Sequence, residues 1–134
     1  MGKFLCLFFC VALLYGCKDD IRSYEYVGES DNWEAVYKYK VNYLKNGDNH
    51  SENDMKINYK GEIEKLANGE VIKVTYNIGA KSGSETIVVE DVRESFNIGS
   101  PGGLNASILE ESEVGIITVS WGGNYEEFEI KSFK

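Results

Sequence analysis

The chain has 134 residues and a formal net charge of −8; it is 43% hydrophobic and 27% charged, with 14 glycines and one proline. That balance excludes a disordered or collagen-like polymer, and the length suits one domain. The acidic excess argues against a nucleic-acid partner, because a phosphate-binding face needs clustered Lys and Arg.

The first segment reads as an address. Lys3 supplies a short positive start, residues 4–15 are an unbroken apolar run, and Gly16-Cys17 is followed at once by Lys18, Asp19 and Asp20. A charged start, a short apolar core and a small residue before the cut form an export signal. The run falls short of the roughly 20 apolar residues that a membrane-spanning helix needs. Its end, Leu14-Tyr15-Gly16-Cys17, resembles the lipobox of bacterial lipoproteins. That resemblance implies a diacylglyceryl group on the Cys17 thiol and cleavage between Gly16 and Cys17. The expected organisation is a signal peptide over 1–16, a lipidated Cys17 with a short tether over 17–23, and a folded domain over 24–134. All three cysteines lie in the first 17 residues. Cys6 and Cys10 leave with the signal and Cys17 becomes a thioether, so the mature domain has no thiol, disulfide or Cys metal ligand and is held by its core alone. Two buried acyl chains anchor firmly, where one is marginal.

Beyond the tether the dominant period is two. Trp33, Ala35, Tyr37, Tyr39, Val41 and Tyr43 alternate with more polar neighbours, predicting a long half-buried strand. Asn46 to Asp54 is polar throughout and reads as a loop. Strands are predicted from Met55 to Glu64 and from Ile72 to Ile78, with Asn68-Gly69 between them as a tight-hairpin signal. Ala80 to Ser84 reads as a link and Thr86 to Val92 as a β-branched strand. A turn at Gly99 to Gly103 precedes a shorter strand from Leu104 to Leu109. Val114 to Trp121 is apolar on both faces, predicting a central strand, and Gly122-Gly123-Asn124 joins it to a last strand over Tyr125 to Phe133. No window carries the 3.6-residue apolar stripe of a helix. About seven strands without helices predict an all-β domain: a sandwich of two antiparallel sheets, possible in an immunoglobulin-like topology, with a small barrel as the alternative.

The opening Tyr24-Glu-Tyr-Val-Gly-Glu-Ser-Asp-Asn-Trp33 and the closing Ile117-Thr-Val-Ser-Trp121-Gly-Gly-Asn-Tyr-Glu-Glu-Phe128 resemble those of small lipoproteins of Bacillus-type Gram-positive bacteria. The resemblance implies a cell-surface lipoprotein with a small β domain, and it supplies no catalytic residues.

The chain is poor in catalytic patterns. His50 is its one histidine, and no Gly-x-Ser-x-Gly elbow is present. Asp48, His50, Glu52 and Asp54 alternate in one segment and could converge on a cation, but they lack EF-hand spacing, and one His makes no ordinary zinc site. Glu90-Asp91, Glu110-Glu111 and Glu126-Glu127 are adjacent acids, and neighbours on a strand point to opposite faces. Gly99 to Gly103 lacks the Lys-Ser/Thr that ends a P-loop. Trp33, Tyr37, Tyr39 and Tyr43 share one strand face, either as core or as a platform that stacks on sugars or docks a partner. No metal or cofactor is expected. The expectation is a non-catalytic binding module, lipid-anchored through Cys17 at the outer face of the cell membrane and meeting an envelope protein. The alternative is a small envelope-acting hydrolase with an acid-based site.

Overall fold

A computed structural model describes residues 20–66, 68–91, 95–100 and 102–133. Eight strands follow in chain order: β1 (Asp20–Glu29), β2 (Trp33–Tyr43), β3 (Asn49–Tyr59), β4 (Val71–Ile78), β5 (Lys81–Val88), β6 (Ser95–Ser100), β7 (Val114–Trp121) and β8 (Asn124–Ser132). All neighbours are antiparallel, and the order across the single sheet is β5-β4-β7-β8-β1-β2-β3-β6. Among the described residues, helical structure amounts to one 3-10 turn at Ile63–Lys65.

Alternation explains why the chain lies this way. On β2, Trp33, Ala35, Tyr37, Tyr39 and Val41 are buried while the residues between them are more exposed. On β7, Ile117, Val119 and Trp121 point inward, and Ile116 and Thr118 are half-buried on the other face. That two-sided apolar strand is central, flanked by β4 and β8.

The sheet curls until its ends approach. The order divides into two four-stranded halves that meet at a narrow seam, where β1 and β8 pair only at Tyr26↔Ser132 and Val27↔Lys131. Residues far apart in the sheet touch across the interior. The rings of Trp33 on β2 and Trp121 on β7 lie 5.3 Å apart, nearly edge to face. Lys81 Nζ on edge strand β5 sits 5.6 Å from the Tyr39 ring centre on β2. The shape is nearly a barrel, and eight strands leave an interior that side chains can fill. Trp33, Tyr59, Phe96 and Trp121 fill one end of it, and Tyr26, Tyr37 and Tyr39 the other. At the seam the backbones come so close that a Cβ on Gly28 would overlap the carbonyl oxygen of Glu129 and lie 3.0 Å from Ile130 Cγ2.

Several sequence expectations change. In place of two packed sheets of about seven strands there is one continuous sheet of eight, because the seam links the halves. The tether expected up to Ser23 is already strand: Asp20, Ile21, Arg22 and Ser23 pair with Tyr43, Asn42, Val41 and Lys40. The polar stretch Asn49 to Asp54 is the first half of β3 rather than loop. The strand expected over Leu104 to Leu109 is reduced to an isolated bridge between Leu104 and His50. The strand expected over Thr86 to Val92 begins and ends earlier, as β5. Asn68-Gly69 does form a turn, with Gly69 at φ 89°, but it closes no hairpin. Strands β3 and β4 lie in different halves, and the Gly69 N–H donates to the carbonyl of Val89 instead. Gly122 and Gly123, at φ 49° and 77°, do make the tight β7–β8 turn, which needs positive φ at both central positions.

Candidate functional site

Gly16 and Cys17, the expected cleavage and lipidation positions, lie outside the described residues. Among those residues no helix is long and apolar enough to cross a membrane.

The aromatic stripe is core. Trp33, Tyr37 and Tyr39 are at most 1% exposed, and Tyr43 is half-buried against the same cluster. Their rings offer no stacking platform, because they face the interior of the curled sheet. The hydroxyls do structural work there. Tyr37 Oη donates to Asn53 Oδ1 at 2.8 Å, and Tyr26 Oη donates to the Glu110 carbonyl at 2.6 Å. The Leu109 N–H donates to Tyr39 Oη at 3.3 Å. Tyrosines of β1 and β2 thus staple the Leu109–Glu110 segment across the barrel. Burial pushes the Tyr26 and Tyr37 hydroxyls well above the usual phenol range, so both stay neutral donors.

The acidic candidates separate. His50, Glu52 and Asp54 lie on the outer face of β3, and successive residues on one strand face are about 6.6 Å apart. Extended geometry therefore spreads ligands that a loop could have gathered. Among the described residues no group of three or more His, Cys, Asp or Glu is placed to hold a metal ion. Glu126 and Glu127 take opposite faces, as strand neighbours must. Glu127 is exposed, where its carboxylate accepts from Tyr125 Oη at 3.1 Å.

Glu126 has a role that adjacency in sequence did not reveal. Its Oε1 accepts from Ser30 Oγ at 2.6 Å and from the Asn32 N–H at 2.9 Å, and its Oε2 accepts from Asn32 Nδ2 at 2.7 Å. One carboxylate on the last strand thereby clasps the β1–β2 turn. Lys60 secures the same turn, with Nζ 3.0 Å from Glu29 Oε2 and 2.9 Å from the Ser30 carbonyl. The opening Gly-Glu-Ser-Asp-Asn-Trp33 and the closing acidic strand therefore meet in space, through Glu126 on Ser30 and Asn32 and through Trp121 on Trp33. Partial burial by itself would raise the Glu126 pKa. The hydrogen bonds from Ser30 and Asn32, with Lys60 nearby, outweigh it and hold the carboxyl below its ordinary value. A lowered folded-state pKa contributes stability that is present above the unfolded-state value and lost as pH falls through the folded one. Glu126→Ala is expected to cost roughly 1–2 kcal/mol near neutral pH. In denaturant titrations at stepped pH, that difference between wild type and variant should shrink as the medium is acidified below the ordinary carboxylate value.

What the described surface offers is open grooves and strand edges. A groove of about 560 Å³ crosses the outer faces of β1–β3, lined by Ser23, Glu25, Lys38, Lys40, Glu52 and Asp54 among others. One of about 410 Å³ beside the seam is floored by Val27, Val36 and Phe133 and edged by Glu25, Glu29 and Glu34. A third, of about 430 Å³, lies beside β1, between Tyr24, the end of β8 at Ser132 and the residues Glu110, Glu111 and Ser112. No protein-family model, curated protein or solved structure matches the chain.

Proposed function

We propose that this chain is a lipid-anchored, extracytoplasmic and non-catalytic binding module of the cell envelope, tethered through Cys17 at the outer face of the membrane. The observation that carries the binding reading is the filled interior. The concave face of the curled sheet is occupied by the protein's own aromatic and aliphatic side chains, so a partner is met on outer grooves and strand edges rather than in a cavity. The anchor rests on the export signal and the lipobox-like Leu14-Tyr15-Gly16-Cys17. Only Lys18 and Asp19 separate Cys17 from the start of β1, so the domain would ride about 10 Å from the lipid.

Two experiments test this reading. Cys17→Ser is expected to release the protein from membranes or to leave an uncut precursor, read by fractionation and mass spectrometry of the N-terminus. A processed Cys17→Ser protein that stays on membranes would overturn the anchor. Cross-linking in intact cells should give a saturable protein partner with the anchored form. No partner, together with turnover of an envelope substrate, would overturn the binding reading in favour of the hydrolase.

A further inference from the structure

Strand β1 is paired with β2 along its whole length, but on its other side β8 meets only Tyr26 and Val27. Among the described residues no strand covers that second edge from Asp20 to Glu25. The line of β8 runs on past Ser132 into the groove of about 430 Å³ beside Tyr24. A row of main-chain N–H and C=O groups beside a slot that no described strand fills is a template for an added strand. Edge strand β5 differs, because it turns Lys81 and Glu85 toward the interior, and inward charges blunt an edge.

The slot also has a sign. Glu110 and Glu111 line its wall facing Tyr24, with Glu113 at the end of the same turn; Glu25 projects to the other face of β1, opposite Lys38. Arg22 on this edge lies 3.4 Å from Asp20 Oδ2 and over the Tyr43 ring at 5.3 Å, and Lys38 and Lys40, across from Glu25 and Ser23, line the outer groove on the other face. A second copy of this chain would bring carboxylates against carboxylates, which opposes pairing. A basic segment would meet complementary charge.

We propose that the Asp20–Glu25 edge accepts, by strand addition in continuation of β8, an extended lysine- or arginine-bearing segment of another protein. The inference names the surface of the binding module proposed above, and rests on that reading for the compartment in which the partner is met.

The test uses the full chain in detergent micelles and a synthetic peptide as long as Asp20–Glu25, alternating lysine with valine. Hydrogen exchange is followed by mass spectrometry. Slowed exchange of the Asp20–Glu25 amides, saturating with peptide, is expected. The same peptide with glutamate for lysine, or with alternate backbone nitrogens methylated, should lose the effect. Glu110→Lys combined with Glu113→Lys should weaken binding at least about tenfold. Protection confined to β5 or β6, equal protection by the glutamate peptide, or protection by self-association without peptide would overturn the proposal. A cellular partner captured equally by the Glu110→Lys/Glu113→Lys protein would keep the binding module and overturn this edge. Peptide binding here with no cellular partner would keep the edge and overturn the module.

Discussion

Gly28→Ala is expected to be among the most damaging single-methyl changes in this protein. The new Cβ would meet the main-chain carbonyl of Glu129, which cannot rotate aside as a side chain can. Ordinary overpacking of a core costs about 1–3 kcal/mol, and a backbone obstacle belongs at or above the top of that range. The position matters because β1 and β8 share only two paired positions, and Gly28 adjoins them. Pushing the strands apart there would part the halves of the sheet and open the interior to water. A chemical-denaturation midpoint far below wild type, with increased binding of a hydrophobic dye, is the expected result. A Gly28→Ala protein of wild-type stability would mean that the seam does not hold the sheet closed.

Trp33→Ala should rank beside it. Trp33 is completely buried and touches Tyr59, Phe96 and Trp121, with ring centres 5.1, 6.4 and 5.3 Å away. Those contacts join β2, β3, β6 and β7, so the indole packs the two halves against each other. Loss of a buried Trp or Phe side chain costs about 3–5 kcal/mol, which for a domain of this size lowers the melting temperature by roughly 10–20 °C. Tyr125→Ala is the matched control, since Tyr125 is 64% exposed and its hydroxyl donates to an exposed Glu127. Its effect should stay within about 0.5 kcal/mol. The two variants, compared by thermal unfolding, separate core packing from a general intolerance of aromatic loss.

Those two sites also mark what the sequence made legible. Strands β2, β7 and β8 announce themselves because one face is apolar and the other is not, or because both are. The first half of β3 escapes that test. Its inward positions are the polar residues Asn49, Ser51 and Asn53, of which Asn53 accepts from the Tyr37 hydroxyl. An inner face made partly of amide and hydroxyl groups looks like a loop to any periodicity argument. The start of β1 is hidden for a related reason, since Asp20, Ile21, Arg22 and Ser23 are all exposed and take their strand geometry from pairing with β2. The seam leaves no periodic trace at all, and a lone glycine in a strand hints only at a close approach. The aromatic stripe was readable as a shared face, but its destination inside the molecule depended on the curl. Glu126 and Glu127 were readable as neighbours on opposite faces; that one of them clasps a turn 94 residues away could be known only from the fold.

The continuity of β1 from Asp20 gives the molecule a mechanical character. Under the proposed anchorage, tension between the membrane and a bound partner enters at the first residue of a strand and runs along its axis. Asp20 through Glu29 is zipped to β2 in ten consecutive registers. A pull along that axis loads the β1–β2 ladder in shear, with many hydrogen bonds sharing the strain, instead of peeling them one at a time. With only Lys18 and Asp19 as slack, little of the load could be absorbed before the ladder felt it. A leash of this design suits a domain that must hold its shape while something tugs on it.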